Sequence, residues 1–486
     1  MQVRGSEITA PRNGVYNPSA RPGNVHSNPA VQRNPYDARQ AITQPAQFAS
    51  NPHDARAKEE ARVKLLIKYA RHRNRAVWAQ ALVLFNVVGI PLSQGVYLEY
   101  YFNAALAGCS LSALSIIPAL QIACILCIPI VVGWFYQWRG QRSGWRLMFF
   151  SAIILAFATQ LALQWIENYT VTMLLQGPIL GAALGTLFPL STVVLSSHYR
   201  FNQPLVSMQS GLMGFLGAII YALIARQGLE VRGKGHFAPA ATASILCGTL
   251  LTAYTLIRRV KENELPPNSQ EWHYNMKLPK SINKIWKEEG TIWFILGYML
   301  IFFALLNFPI YISLVLTQPP AITDPKTAAF VPIITHTTAA ISACISANPI
   351  LRTRLGPLNT FIASCVFAGA ASLLPFFMPN LPVALPCGGA YGISLGAIIS
   401  LHMKVTTIFH GEKVVWHPDM PVRAAVMLVV AGCSAFAGLL ASAFIIENVE
   451  GGMRIVASMT AGCLVAGGCL IAFARWRRCR NFWVAI

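Results

Sequence analysis

The chain alternates between long apolar stretches and shorter polar segments. Each apolar stretch has about 20 residues or more, and a helix rising about 1.5 Å per residue then crosses the roughly 30 Å hydrocarbon core of a bilayer. The pattern predicts twelve transmembrane helices. They occupy residues 77–101, 112–136, 146–165, 171–195, 205–225, 239–258, 291–316, 327–350, 357–378, 382–402, 424–446 and 452–474.

The positive charges fall almost entirely into every second polar segment. Of the 38 Lys and Arg residues, 33 precede the first stretch, follow the last one or lie in the even-numbered connections. Positive charge is retained on the cytosolic side of a membrane. We therefore expect both termini in the cytosol, with the plasma membrane as the expected location and a vacuolar or other internal membrane as the alternative.

Composition excludes an ordinary soluble protein. The chain is 55% hydrophobic and only 12% charged, whereas soluble proteins carry about 25% charged residues. Its net charge of +20 is spread over segments that flank the apolar stretches, where bases face an anionic leaflet. We therefore expect the lipid bilayer as a partner and no nucleic acid.

The polar segment between stretches six and seven divides the chain into two halves. Residues 1–76 are expected to be a disordered basic cytosolic arm, in which 56–75 is either a helix on the membrane surface or a solvated segment. The first six-helix bundle spans 77–258 and the second 291–475. Residues 259–290 are predicted to be a cytosolic linker, and 476–486 a basic cytosolic tail.

Glycine and arginine patterns recur in the two halves. A four-residue glycine period puts a smooth stripe on one helix face, so that a neighbouring backbone approaches closely. The recurrence predicts an internal duplication, an all-α integral membrane fold of two pseudo-symmetric six-helix bundles around a midplane site. Gly177, Gly181 and Gly185 correspond to Gly388, Gly392 and Gly396, Gly211 and Gly217 to Gly432 and Gly438, and a turn with Arg139, Arg142 and Gly144 to one with Arg352, Arg354 and Gly356. We expect the two glycine stripes and these four arginines to serve helix packing and gating.

Several short motifs resemble one family. They are Leu84–Gly89, Ser93–Tyr97, Gln176–Gly185, Gly217–Tyr221, Arg354–Asn359 and Tyr391–Ala397. The membrane region, 77–475, resembles fungal members of the monocarboxylate-transporter branch of the major facilitator superfamily. The resemblance implies the major facilitator fold and alternating-access transport of a small organic solute, such as an organic acid, a vitamin-like compound or a specialised metabolite.

The sequence departs from the family pattern at two places. Gln137 stands in the usual acidic place of the loop after the second span, which argues against the charge-relay gating that the resemblance implies for that loop. The first and eighth spans lack the lysine and the aspartate–arginine pair of the animal carriers, which argues against a small monocarboxylate as substrate. An uncharged or weakly acidic substrate is therefore preferred.

Polar side chains inside the spans are the candidate cavity residues. Unpartnered amides facing lipid would cost several kcal/mol, so we expect them to face other helices or water. They are Asn86, Gln94, Tyr97, Gln121, Gln209, Asn307, Tyr311, Tyr391 and Ser394.

His336 is expected to be the ionisable group at membrane depth, because every Asp and Glu is assigned to a loop or a span end. Intramembrane ionisable groups are functional candidates, and histidine titrates near neutral pH. His336 is therefore a candidate for coupling transport to protons or substrate. The alternative is a neutral histidine that shares a hydrogen bond with Thr335, Thr337 or a backbone carbonyl, with transport by facilitated diffusion.

Other chemistry is not expected. His402, His410 and His417 are too far apart for an iron cluster, and the chain lacks a phosphate-binding loop, so we expect no enzyme activity, catalytic residue, metal or cofactor. A receptor-like protein that binds a ligand without transporting it remains an alternative, and a monomer is expected. Asn168 lies in the single glycosylation sequon, in a loop so short that we expect it unmodified.

Overall fold

The computed structural model describes residues 71–138, 144–198, 203–228, 237–258, 288–319, 321–348, 354–410 and 420–478. All regular structure in these ranges is helical. Twelve helices are long and apolar enough to cross a membrane, and we number them α1 to α12. They are Arg71–Ala105, Leu111–Trp138, Trp145–Trp165, Tyr169–His198, Gly211–Gly228, Phe237–Leu256, Thr291–Thr317, Pro325–Ser346, Pro357–Phe377, Leu381–Thr406, Pro421–Asn448 and Gly452–Arg478.

Each of these helices coincides with one predicted stretch, which confirms the all-helical fold with twelve spans. The N-terminal arm up to residue 70, linker residues 259–287 and the tail from 479 lie outside the described residues. So do Arg139, Arg142 and Arg352, whose gating role stays a prediction. Arg354 lies just before α9 and is exposed.

The helices pack in the same way within each half. In the first half, α2 packs on α4, α1 on α5 and α3 on α6; in the second half the corresponding pairs are α8 on α10, α7 on α11 and α9 on α12. The halves meet where α2 contacts α11, α5 contacts α8 and α10, and α1 contacts α7. We call the ends that carry the α1–α2, α7–α8 and α11–α12 connections the outer ends.

Two glycines set the closest approach between helices. A methyl group at Gly217 in α5 would overlap the carbonyl oxygen of Phe85 in α1, and one at Gly438 in α11 would overlap that of Phe303 in α7. These are corresponding positions in the two halves. Removing the side chain lets two helix backbones touch, as small residues do in membrane proteins.

The glycine stripes of α4 and α10 lie against α2 and α8. A methyl group at Gly181 would be 2.8 Å from the carbonyl oxygen of Gln121, and one at Gly185 would be 2.7 Å from that of Cys124. In the second half, methyl groups at Gly392 and Gly396 would overlap the carbonyl oxygens of Thr335 and Ala339. The stripe therefore brings α4 onto the part of α2 that carries Gln121.

The outer end of α1 differs from the prediction. The predicted stretch ends at residue 101, but α1 continues as a π-helical turn over Tyr101–Ala105. Glu99 is consequently inside the helix and only 6% exposed, whereas we expected it at a span end. The sequence becomes polar here because its polar groups bond to one another and to α7, as described below.

Candidate functional site

Four polar side chains from three helices of the first half form one hydrogen-bonded chain. The hydroxyl of Tyr101 in α1 donates to Oε1 of Gln176 in α4 at 2.9 Å. Nε2 of Gln176 donates to Oε1 of Gln94 in α1 at 3.2 Å, and Nε2 of Gln94 donates to Oε1 of Gln121 in α2 at 3.1 Å. The three glutamines are at most 1% exposed. We call these four side chains the amide chain.

Irregular backbone positions two members of the amide chain. Tyr101 lies in the π-helical turn that ends α1, and Gln176 lies in a second one, Leu175–Ile179, which contains Pro178. Single π-helical turns inside α-helices are frequent at functional sites. Sequence reasoning chose Gln94 and Gln121 but missed Tyr101 and Gln176, although Gln176 directly precedes the glycine stripe.

The hydroxyl of Tyr97 has its hydrogen-bond partner outside the amide chain. This hydroxyl lies 3.4 Å from Oγ1 of Thr242 in α6, whereas Gln94 bonds to side chains of α2 and α4. Gln209 belongs to the helix Gln203–Gly228, whose apolar part is α5. Its side chain is outside the described part of the protein. Neither Tyr97 nor Gln209 has a described hydrogen bond to the amide chain, although the ring of Tyr97 lies 6.2 Å from that of Tyr101, centre to centre.

Two asparagines join corresponding helices in the two halves. Nδ2 of Asn86 in α1 donates to Oγ1 of Thr249 in α6 at 2.9 Å, and Nδ2 of Asn307 in α7 donates to Oγ1 of Thr460 in α12 at 3.1 Å. Asn86 also accepts a bond from Tyr221 at 2.5 Å. The contacts hold each half together internally. In the repeat, Asn86 corresponds to Asn307 and Thr249 corresponds to Thr460. This correspondence was a sequence signal for the two contacts, but the contacts were not predicted from it.

Two tyrosines of the second half bond to backbone carbonyls. The hydroxyl of Tyr391 in α10 donates to the carbonyl oxygen of Leu305 in α7 at 2.6 Å, and that of Tyr311 in α7 donates to Leu439 in α11 at 2.7 Å. The Oγ of Ser394 is buried, with no partner among the residues described. These predicted cavity residues therefore lie in the interior of the second half, where the tyrosines brace helices.

His336 joins the two halves. It is fully buried in α8, and its Nε2 lies 3.1 Å from the carbonyl oxygen of Leu92 in α1. Thr335 and Thr337 instead donate to carbonyls of their own helix. Nδ1 of His336 has no partner within the described ranges. The neutral ring therefore donates from Nε2, and the carbonyl that it uses belongs to the opposite half.

Side chains also connect α1 to α7 at the outer ends. Nδ2 of Asn103 donates to Oε1 of Glu99 at 2.7 Å and to Oγ1 of Thr317 at 3.3 Å. Nε2 of Gln318 donates to Oδ1 of Asn103 at 2.9 Å. Asn103 therefore links the buried carboxylate of Glu99 to the end of α7.

Two further helix pairs are joined at the outer ends. Glu447 in α11 accepts bonds from the backbone nitrogen of Ser112 in α2 at 2.9 Å and from its hydroxyl at 2.5 Å. Arg226 in α5 donates to the carbonyl oxygen of Lys326 in α8 at 2.7 Å, and its guanidinium lies 3.9 Å from the ring centre of Phe330. We call the bonds of Asn103, Glu447 and Arg226 to the opposite half the outer contacts. They hold the outer ends of the two halves together in this conformation.

Asn168 acts as the N-cap of α4. Its Oδ1 accepts bonds from the backbone nitrogens of Thr170 and Val171 at 2.9 and 3.3 Å, which satisfies donors that a helix start leaves free. Asn168 is exposed. Among the described residues, no group of three or more His, Cys, Asp or Glu could hold a metal ion.

The architecture is that of the major facilitator fold. The structure resembles the nucleoside transporter NupG, with a TM-score of 0.61 at 13% identity, over 82% of this chain and 99% of that one. It also resembles the human organic anion transporter MFSD10 (TETRAN), with a TM-score of 0.58 at 14% identity, over 83% and 99%. At these identities the likeness shows the fold.

Two fungal proteins are similar in sequence. MFS-type transporter dbaD of Emericella nidulans is 25% identical over 298 residues, which are 60% of this chain and 62% of dbaD. MFS-type transporter eupM of a Phoma species is 24% identical over 151 residues, 30% of this chain and 52% of eupM. The matches thus span less than two thirds of either relative, and no protein-family model matches the chain. These sequence similarities and the fold support the resemblance of the chain to the major facilitator superfamily.

Proposed function

We propose that this protein is a secondary transporter that moves a small organic solute across a membrane by alternating access. The observation that carries the proposal is the set of outer contacts, which joins two similarly packed halves through side chains of three helix pairs. Polar contacts of this kind can be broken and replaced by contacts at the opposite ends of the helices, so that two conformations remain close in free energy.

The similarity to fungal MFS-type transporters supports the same proposal. It also favours a transporter over an enzyme. The substrate class is proposed from the sequence: an organic acid, a vitamin-like compound or a specialised metabolite, with an uncharged or weakly acidic solute preferred, since the carboxylate-recognising residues of the monocarboxylate branch are missing from the spans.

Proton coupling is a further part of the proposal. His336 reaches across the two halves to Leu92, so a movement of α8 away from α1 would change its surroundings. A side chain couples proton binding to transport only if its proton affinity differs between the two conformations. The contact of His336 with the opposite half supports this part of the proposal.

Counterflow in proteoliposomes tests the proposal. Vesicles with the purified full-length protein are loaded with an unlabelled candidate solute and diluted into labelled solute; a transporter produces a transient accumulation of label that empty vesicles lack. A solute that binds the protein without any counterflow would contradict transport and would support the receptor-like alternative.

A further inference from the structure

The hydrogen bonds of the amide chain all run in one direction. Tyr101 donates to Gln176, Gln176 to Gln94, and Gln94 to Gln121. Bonds arranged in such a series polarise one another, and each strengthens the next donor. The series ends at Nε2 of Gln121, which is buried and has no hydrogen-bond partner in the described part of the chain. A buried donor of this kind calls for an acceptor.

The unpaired donor lies deep in the first half and near the second. Gln121 is ten residues from the first residue of α2, or about 15 Å from its outer end at 1.5 Å per residue. Gln94 precedes Gly95, at which a methyl group would overlap the carbonyl oxygen of Pro309 in α7. The amide chain thus adjoins the line where the two halves meet, and separation of the halves would open it to a solute.

The helices around the donor carry no compensating charge. Residues 76–98 of α1 and the whole of α2 and α4 contain no Asp, Glu, Lys or Arg. In the described spans of both halves, every Lys and Arg lies towards a helix end. The carboxylate of a solute bound at Gln121 would be an unpaired charge inside the membrane, which is strongly unfavourable. An uncharged oxygen acceptor satisfies the amide without that cost.

The second half does not repeat the amides. In the duplicated pattern Val315 stands in the place of Gln94 and Cys387 in that of Gln176. Only the first half therefore offers a series of amides, and the corresponding part of the second half presents less polar groups to a bound molecule.

We propose that the amide chain is the recognition site for an uncharged solute, and that Nε2 of Gln121 donates to a carbonyl or ether oxygen of that solute. This inference rests on the proposed function, because it names the substrate class of the same transporter. It predicts discrimination between molecules that differ mainly in charge.

Aromatic lactones and the hydroxycarboxylates formed by opening their rings are suitable probes. The simplest pair is 3,4-dihydrocoumarin and 3-(2-hydroxyphenyl)propionate; binding to the purified full-length protein is measured by thermal stabilisation and transport by counterflow. We expect aromatic lactones such as 3,4-dihydrocoumarin to bind, and the hydroxycarboxylates formed from them to bind at least tenfold more weakly. Gln121→Leu should weaken lactone binding about tenfold, and Gln121→Glu, which replaces the donor by an acceptor, should weaken it more.

Gln160→Leu is the matched control. Gln160 is also 1% exposed in the first half, but it lies on α3 outside the amide chain, so its replacement should leave lactone binding unchanged. Preference for the carboxylates, lack of binding by every lactone, or equal effects of the Gln121 and Gln160 variants would overturn the assignment. Lactone binding that depends on Gln121 without counterflow would instead contradict the transport function and leave the recognition site standing.

Discussion

Pro309 explains the position of Tyr391. A proline has no backbone N–H, so Pro309 leaves the carbonyl of Leu305, four residues earlier in α7, without its helical donor. The hydroxyl of Tyr391 supplies that donor from α10. The ring also stacks on Phe308, with 4.4 Å between ring centres. Tyr391 therefore stabilises a helix break, and its contact with substrate stays a prediction.

Tyr391→Phe should therefore act on stability. Removing the hydroxyl leaves a buried carbonyl unpaired, which costs about 1–3 kcal/mol. We expect a lower midpoint of thermal unfolding in detergent and an unchanged KM for transport. Tyr254→Phe, which alters a tyrosine that stacks on Phe149 in the first half, is the control. A raised KM with unchanged thermal stability would show that Tyr391 contacts the substrate.

His336→Gln should flatten the pH dependence of transport between about pH 5 and 8, the range in which histidines titrate. A second proton on the ring would place a charge in a buried site with no acidic partner among the described residues, which is costly. Proton binding is therefore expected when α8 moves away from α1. Glutamine keeps a donor for Leu92 but cannot bind the proton. The measurement is the initial transport rate against pH at equal surface expression.

His402→Gln is the control for that experiment. His402 lies in α10 and bonds to the carbonyl of Ile399 in its own helix at 2.6 Å, so its replacement should leave the pH profile unchanged. A wild-type profile in His336→Gln would make His336 a packing residue. Facilitated diffusion down the substrate gradient would then be the better account.

At the scale of helices, the hydrophobic pattern predicted the spans well and their mutual contacts poorly. An apolar run of about 20 residues has to cross the bilayer, so length and composition determine its existence. Its rotation about its own axis depends on packing against distant helices. For this reason the sequence selected Gln94 and Gln121 as interior polar residues but did not show that they join Gln176 and Tyr101 in one hydrogen-bonded chain. The outer end of α1 was missed because polar residues such as Glu99 and Asn103 are typical of a loop, and the sequence does not show that they bond to each other and that Asn103 bonds to Thr317 and Gln318.

Gly217→Ala and Gly438→Ala should each destabilise the protein. Their methyl groups would overlap the carbonyl oxygens of Phe85 and Phe303, and overpacking of this kind costs about 1–3 kcal/mol. We expect lower thermal unfolding midpoints for both variants, by similar amounts, because the two sites correspond in the two halves. Thermal unfolding followed by size-exclusion fluorescence is the measurement.

Gly248→Ala and Gly462→Ala are the matched controls. A methyl group at either position meets no atom within 4 Å, and alanine favours a helix over glycine by up to about 1 kcal/mol in solution. Their unfolding midpoints should be unchanged or raised. Equal losses at all four glycines would indicate that helix flexibility, and not close packing, is what these positions provide.

At the scale of the whole molecule, the distribution of Lys and Arg predicts the orientation. A reporter fused after Gln318, in the α7–α8 connection, should lie outside the cytosol, and one fused after Arg258, which follows α6, should lie inside it. Protease protection of the reporter in sealed vesicles distinguishes the two sides. Both reporters on the same side would refute the predicted topology.

The outer contacts predict that transport stops when the outer ends are tied together. Ser112 and Glu447 touch across the two halves, so cysteines in S112C/E447C should be joined by a short bis-thiosulfonate reagent, in a background in which Cys109 is replaced by serine. We expect cross-linking to abolish counterflow and a reducing agent to restore it, because alternating access requires α2 and α11 to separate at this end.

The control pair A113C/Y169C joins α2 to α4 within one half, where the hydroxyl of Tyr169 lies 2.9 Å from the carbonyl oxygen of Ala113. Cross-linking of this pair should leave counterflow intact. Undiminished counterflow in the fully cross-linked S112C/E447C protein would mean that the outer ends stay closed during transport, and alternating access between these two halves would have to be abandoned.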